Sequence, residues 1–457
     1  MKTKRPARVR ASASLMLCLL TLSMSLSCDR ATDTQSQTPR QAPIPAVSFT
    51  GPTALLPVPE LSTDLIRTTN IRTADFPTLG GTSIVVTEVI PSGPVDDKAD
   101  HPSPSGQSPM GGVITILRRC TPSCEVKQIP DVAKLPVRTH VIDFDGDADN
   151  DIVVADLGVI ATIDTNQGRI SLLRNDGRGH FIAETIADGL GRVACAEAAD
   201  FDNDGDMDLV GCIFGHINGS LSWFEQTGPM TFEEHVLDPR PGYIHAFPVD
   251  IDGDGDLDIP AVVSQESEEV VLFRGDGQGN FSKDVIFRAG NPCFGMSGLE
   301  PVDFDGDGDL DLLVTNGDMF DRDCKRDDVA ALHGLDLYTN DGSGGFSRRR
   351  LVDFYGAYSV RAADFDGDGD MDIVLSTQQD PQLTLPGYPN RLVWYENDAG
   401  EFLEHVIPGG GYSAITIEVL DTNDDGRPDL LTGSMDIQSR SEGQRLGFFF
   451  NRPDESN

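Results

Sequence analysis

An all-β fold, a seven-bladed β-propeller of four-stranded blades, is predicted for most of this 457-residue chain by three observations. Six Asp-rich segments begin at Asp143, Asp200, Asp250, Asp303, Asp364 and Asp421, so their starts lie 57, 50, 53, 61 and 57 residues apart. Short runs of Val, Ile and Leu fill the intervals, and a second, turn-forming signature recurs within them. A period of about 55 residues suits one blade of four short strands.

The chain opens with Lys2, Lys4, Arg5, Arg8 and Arg10, followed by an apolar run from Leu15 to Leu26 that is too short and too polar in places to span a bilayer. Residues 1–27 read as a signal peptide of the lipoprotein type. Ser25-Leu26-Ser27-Cys28 resembles the lipobox of bacterial lipoproteins, which makes Cys28 the expected lipidation site. Residues 28–59 are rich in Pro, Thr and Gln and have little to bury, so they read as a disordered tether reaching on the order of 100 Å when extended. The expected location is therefore extracytoplasmic: secreted, or a periplasmic or outer-surface lipoprotein of a bacterium, touching the membrane only through its anchor.

The first blade is expected to be degenerate. Asp75 stands at loop position 1 and Gly80 at position 6, but Pro77, Leu79 and Ser83 replace three acids. The next five loops follow one pattern, Asp-x-Asp-x-Asp-x-x-x-Asp. Their candidate ligands are Asp143, Asp145, Asp147 and Asp151; Asp200, Asp202, Asp204 and Asp208; Asp250, Asp252, Asp254 and Asp258; Asp303, Asp305, Asp307 and Asp311; and Asp364, Asp366, Asp368 and Asp372. The sixth set is Asp421, Asn423, Asp425 and Asp429, with Asn423 in place of an acid, and Ala148 replaces the usual Gly at position 6 of the first set. The recurring turn appears as Asn175-Asp176-Gly177, Asp276-Gly277, Asn340-Asp341-Gly342 and Asn397-Asp398, the strongest local hairpin signal. Residues 411–451 stop one strand short of a blade. Glu60 to Ile66 looks like Glu401 to Ile407, so residues 60–67 are expected to supply the missing outer strand. That sets the propeller at 60–451 and leaves 452–457 as a tail. Six further cysteines form three local couples, Cys120/Cys124, Cys195/Cys212 and Cys293/Cys324, expected as disulfides in an exported protein.

A formal charge of −39 argues against nucleic acid or an anionic membrane surface as a partner. The acids are clustered at a fixed period, which points to cation ligands rather than an acidic tail. Calcium takes six to eight oxygens, and acids at positions 1, 3, 5 and 9 with a main-chain carbonyl from position 7 would supply them. The closing acid at position 9 and the strand that follows distinguish these loops from an EF-hand. About six calcium ions are expected.

These residues resemble the FG-GAP, or VCBS-type, repeats of the integrin α-subunit head and of secreted bacterial proteins. The lead-in Tyr355-Gly356-Ala357-Tyr358 ahead of Asp364 comes closest, and the Gly-Ala-Pro half of the signature is missing from every unit. The resemblance covers residues 60–451 and implies calcium loops between the first two strands of each blade. It implies little about a ligand, since such propellers serve adhesion, scaffolding and, in some polysaccharide lyases, catalysis.

The face opposite the calcium loops is expected to carry any ligand site. Its candidates are Arg192, His216, Tyr243, His245, Tyr355, Tyr358 and Tyr412, for which ordinary rim and core roles are the plainer alternative. His140 and His245 lie on strands entering their blades, where satisfied interior roles are common. No phosphate loop, dinucleotide fingerprint or metalloprotease motif is present. The expected function is a calcium-stabilised binding or scaffold module for a protein or glycan, acting as a monomer. The alternative is a carbohydrate-active enzyme such as a polysaccharide lyase, which would need His, Tyr and Arg converging on one pocket.

Overall fold

The computed structural model describes residues 47–54, 67–76, 81–91, 110–118, 125–159, 165–215, 217–265, 267–318, 329–378, 389–411, 413–422, 425–434 and 446–453. Seven antiparallel sheets of four strands account for them. Blade 1 holds Arg67–Phe76, Gly81–Pro91, Met110–Arg118 and Glu125–Pro130, and blade 2 holds Pro136–Ile142, Asp151–Asp156, Gly168–Asn175 and Phe181–Leu190. Blade 3 is Arg192–Ala199, Asp208–Phe214, Ser220–Gly228 and Thr231–Asp238, and blade 4 is Tyr243–Ala246, Ile259–Val263, Glu269–Gly275 and Phe281–Arg288. Blades 5 and 6 repeat the order with Met296–Val302, Asp311–Asn316, Gly334–Asn340 and Phe346–Asp353, then Ala357–Ala363, Asp372–Thr377, Leu392–Asp398 and Glu401–Val406. Blade 7 contributes Ala414–Leu420, Asp429–Ser434 and Leu446–Pro453. The seven-bladed propeller read from the repeat is the observed fold.

The first strands of neighbouring blades touch all the way round, so they line the axis, and the fourth strands face solvent. Second strands such as Asp151–Asp156 are buried at every residue because a neighbouring blade covers each face. That explains their unbroken apolar runs, Ile152-Val-Val-Ala and its equivalents. Each blade-to-blade boundary has its own apolar core, seven in all. The last of these packs Leu431 and Phe448 of blade 7 against Ile71, Ile84, Val86 and Leu117 of blade 1, which closes the ring.

The closing strand is not the one expected. Val47–Ala54 pairs antiparallel with Leu446–Pro453 and fills the outer position of blade 7, inside the stretch read as tether. Residues 60–66 lie outside the described residues. The Pro-rich composition misled the sequence reading, because proline is compatible with an outer edge strand, where a missing N–H breaks no second ladder. Pro52 falls at the register shift between Thr50 and Thr53, the usual place for such a residue. This pairing joins strands from the two ends of the described chain in one sheet and completes the fourth strand of blade 7.

Cys195 and Cys212 form a disulfide directly across the first two strands of blade 3, as expected. Cys293 is also disulfide-bonded, while Cys120, Cys124 and Cys324 lie outside the described residues. The Cys195–Cys212 bridge encloses the Asp200–Asp208 hairpin with a sequence separation of 17 residues. Replacing both cysteines by Ala is expected to destabilise the fold by about 3 kcal/mol on the chain-entropy scale, read as a lower denaturation midpoint. An unchanged midpoint would show that the strand ladder alone fixes the hairpin. Among the described residues no helix is long and apolar enough to cross a membrane.

Candidate metal centres and the axial ring

Each Asp loop joins the first and second strands of its blade, and its acids have distinct duties. The position-1 carboxylate folds the loop over itself: Asp143 accepts the N–H groups of Gly146 at 2.9 Å, Asp147 at 3.1 Å and Ala148 at 3.0 Å. Asp364 does the same for Gly367, Asp368 and Gly369. The position-5 carboxylate accepts the N–H of position 7, as Asp307 does from Asp309 at 3.0 Å.

Position 9 is the anchor. Asp151, Asp208, Asp258, Asp311, Asp372 and Asp429 are buried, and each takes two backbone N–H groups. One comes from loop position 2, for example Phe144 to Asp151 at 3.1 Å and Phe365 to Asp372 at 3.0 Å. The other comes from the end of the third strand, for example Asn175 to Asp151 at 2.7 Å and Asn451 to Asp429 at 2.8 Å. The two sequence signatures are therefore one structure. The position-7 acids complete it by lying against the turn: a side chain at Gly177, Gly277 or Gly342 would collide with Asp149, Asp256 or Asp309.

These bonds leave oxygens of several carboxylates facing one another. In five loops three ligand atoms lie within 4.8 Å of one another: Asp143, Asp145 and Asp151; Asp200, Asp202 and Asp208; Asp250, Asp252 and Asp254; Asp303, Asp305 and Asp307; and Asp364, Asp366 and Asp372. The candidates Asp147, Asp204 and Asp368 of position 5 and Asp258 and Asp311 of position 9 stand beside these trios rather than in them. In the sixth loop Asn423 lies outside the described residues, and Asp421 and Asp425 keep the same fold, with Asp421 accepting Asp425 N–H at 3.1 Å. Burial pushes Asp151, Asp208, Asp258 and Asp311 up to about 6 and Asp372 up to about 7, against their backbone hydrogen bonds. Asp145, Asp202, Asp305 and Asp366 are raised as well, by burial first and then by adjoining loop acids. The Oδ1 atoms of Asp200 and Asp252 are buried and accept no hydrogen bond. An all-oxygen, like-charged cluster with unused lone pairs fits a hard divalent cation.

Position 6 is held at positive φ, and in the first loop Ala148 adopts it at φ 71°. The Ala148→Gly change is expected to stabilise the protein by up to about 1 kcal/mol, because Gly enters this region without the Cβ clash. A melting curve checks this, and no gain would mean that the loop already relaxes around Ala148. In blade 1 the ladder runs on through Phe76–Gly81, and Ser83 occupies the buried anchor position where other blades carry Asp.

A second constellation escaped the sequence reading. Three residues before each loop, or its blade 1 counterpart, the chain carries Arg72, His140, Glu197, Phe247, Glu300, Arg361 and Glu418, all on inner strands except Phe247, which directly follows one. Their side chains meet about the axis. Glu418 pairs with Arg361 at 3.3 Å and Arg72 at 3.9 Å, Arg361 with Glu300 at 3.5 Å, and Glu197 with Arg138 at 3.3 Å. Burial and the nearby Arg72 push Arg138 down to about 9, and burial pushes Glu300 up to about 7 despite Arg361. The signal was a fixed register, three residues ahead of each loop or its blade 1 counterpart.

Most ligand-face candidates face inward. Tyr243 is fully buried and donates its hydroxyl to Asp238 at 2.8 Å. Arg192 is buried with its guanidinium 4.7 Å from the Phe214 ring centroid. His245 is bonded between Arg138 and the Ser297 carbonyl, and His140 accepts Ala198 N–H at 2.8 Å, so both are satisfied interior groups. Tyr358 stands on the inner strand of blade 6, within electrostatic reach of Arg138. Strand alternation turned these side chains toward the axis or core rather than onto the rim. Tyr355 stacks on His333 with centroids 5.2 Å apart and lines a cavity of about 460 Å³ with Asn390, Arg391 and Pro408–Gly411. His216 and Tyr412 lie outside the described residues.

Comparison with known proteins agrees with this architecture. Residues 143–211, 260–314 and 320–375 match the model of the FG-GAP-like repeat. No curated protein matches the chain. Among solved structures it is similar to the exotype rhamnogalacturonan lyase YesX, at 14% identity over 86% of this chain and 74% of that one, TM-score 0.45. A rhamnogalacturonan lyase of Bacillus licheniformis gives 14% identity over 90% and 75%, TM-score 0.45. A thermostable family-43 glycoside hydrolase gives 10% identity over 60% and 93%, TM-score 0.34. Likenesses this distant carry no weight for activity, and the fold rests on the chain's own strand pairing.

Proposed function

From the premise that this chain is a seven-bladed β-propeller carrying FG-GAP-like repeats, we propose that it is a calcium-stabilised extracytoplasmic binding module, tethered to the cell surface through a lipid at Cys28. The observation that supports it best is the set of five loops whose carboxylate oxygens converge within 4.8 Å, all between first and second strands and so on one end of the wheel. Calcium fits because the donors are all oxygen and carry several negative charges. The buried disulfide suits an oxidising compartment.

The opposite end is the ligand-binding face in this reading, and a protein or a glycan is its ligand. Its cavity beside Tyr355 is lined by Val406, Ile407 and Pro408 together with Asn390, Arg391 and the backbone of Gly409, Gly410 and Gly411. Such a mixture suits a polyhydroxy ligand or a peptide. The enzymatic alternative calls for His, Tyr and Arg around one open pocket. Arg138, His245 and Tyr358 instead lie along the axis, and among the described residues the Tyr355 cavity is lined without a histidine. Glycan and protein arrays, run with calcium and with a chelator, test the proposal. Retention of a partner without turnover supports it. Cleavage of a polysaccharide, with release of unsaturated ends, would replace it with the lyase alternative.

A further inference from the structure

The Asp loops are nearly alike in their own residues and unlike in the residue that approaches them from the end of the third strand. At that position, one before the turn, blades 2 to 7 carry Arg174, Glu225, Arg274, Thr339, Glu396 and Phe450. Arg274 donates Nη1 to Asp252 Oδ2 at 2.6 Å. It is pinned there by Asp284 at 2.9 Å and by the Gly344 carbonyl of the next blade at 2.8 Å. Asp252 Oδ2 is thus shared with a guanidinium, while its buried Oδ1 accepts no hydrogen bond. Arg174 Nη1 lies 3.8 Å from Asp145 Oδ2, and Glu184 fixes its Nη2 at 2.6 Å.

Blades 3 and 6 carry the opposite charge there. Glu225 is held by His235 Nε2 and Glu396 by His405 Nε2, each at 2.7 Å. The two imidazoles are stacked on Trp223 and Trp394, with ring centroids 4.7 and 4.5 Å apart. Each glutamate directly precedes the residue whose N–H binds its loop's anchor, Gln226 on Asp208 and Asn397 on Asp372, each at 2.8 Å. One position therefore adds a fixed cation to two loops and a further carboxylate to two others.

We propose that this third-strand residue grades the loops, so that a divalent ion fills blades 3 and 6 first and blades 2 and 4 last. Resting on the calcium reading above, the inference gives Arg174 and Arg274 the role of built-in counter-cations, which hold their loops together when calcium is scarce. A unit charge near 4 Å from the site changes affinity by about tenfold or more at a partly exposed position.

The chain's two tryptophans stand beside the two loops expected to fill first, which makes the idea measurable. Terbium, a hard cation that substitutes for calcium, is titrated into the intact protein. Tryptophan-sensitised terbium emission is followed in parallel with total bound calcium by equilibrium dialysis. The expected result is at least two affinity classes about tenfold or more apart, with the tryptophan signal saturating in the tighter one. Arg274→Gln should move one ion from the weak to the tighter class and leave the tryptophan signal in place. Glu225→Gln should shift about half of that signal to higher ion concentration. A single affinity class, or an Arg274→Gln protein that is folded by circular dichroism and binds with unchanged affinities, would overturn the grading. Failure to bind calcium or terbium at all would instead overturn the calcium reading itself.

Discussion

Removal of divalent ions with a chelator is expected to lower the melting temperature of this protein by roughly 20 °C or more, or to leave it unfolded at room temperature. An ion held at a concentration a hundred times its dissociation constant stabilises a fold by about 2.7 kcal/mol per site. Five convergent loops would then supply about 13 kcal/mol, comparable with the whole stability of an ordinary domain, about 5–15 kcal/mol. Without ions the same carboxylates repel one another. Burial already pushes Asp372 up to about 7, so near neutral pH that site has no comfortable ionised state of its own. The damage would not stay local. The Asp372 carboxylate binds both Phe365 N–H and Asn397 N–H, and Phe365 is part of the core between blades 6 and 7. Loosening a loop therefore loosens a blade boundary. Scanning calorimetry with and without chelator decides the matter, with re-addition of calcium as the control. A melt that ignores both would mean that the backbone hydrogen bonds inside each loop suffice.

The repeat was legible because its chemistry is periodic: Asp at positions 1, 3, 5 and 9 recurs at one blade per interval, and the structure puts each copy in the same hairpin. Cys195 and Cys212 were legible for a simpler reason, since they flank one such hairpin and face each other across it. The function of the Asn-Gly turns was only half legible. Their hairpin character shows in the sequence, but the fit of Asp149, Asp256 and Asp309 against turn glycines depends on a contact some 25 residues away. The closing strand was missed because Val47–Ala54 has the composition of a linker, and only pairing with Leu446–Pro453 makes it a strand. Tyr243 is a ligand-face candidate in the sequence because it stands in the segment entering its blade, with a core role as the plainer alternative. Its burial follows from Asp238, at the end of the preceding blade, which captures its hydroxyl. The axial charges were invisible for a related reason. Their counter-charges stand on the inner strands of other blades, and only the ring brings them together.

That ring carries the second large effect, centred on Glu418. Its carboxylate takes Arg361 at 3.3 Å and Arg72 at 3.9 Å, while Oε1 accepts both Thr73 N–H and Thr73 Oγ1–H at 3.1 Å. Arg72 and Thr73 belong to blade 1 and Glu418 to blade 7, so this one side chain bonds across the seam where the wheel closes. Its side chain is 12% exposed, and the side chains of Arg72 and Arg361 are 18% and 19% exposed. Glu418→Ala leaves both arginines short of a counter-charge and an inner-strand N–H without its acceptor. The expected loss is about 3 kcal/mol, the lower end of the range for breaking a buried ion pair. Glu418→Gln, which keeps the acceptor for Thr73 and gives up only the charge, should lose less. Glu300 supplies the contrast within the same ring. Burial raises it to about 7, so its contribution is fully present below its unfolded pKa of about 4.5 and is lost as pH rises through 7. Glu300→Gln should therefore be close to neutral in stability near pH 4, below the unfolded pKa, and relatively favourable at pH 8. Thermal melts of the three variants at the two pH values separate the cases. If Glu418→Ala melts with the parent protein, the axial charges are passengers, and the apolar core between blades 7 and 1 closes the wheel unaided.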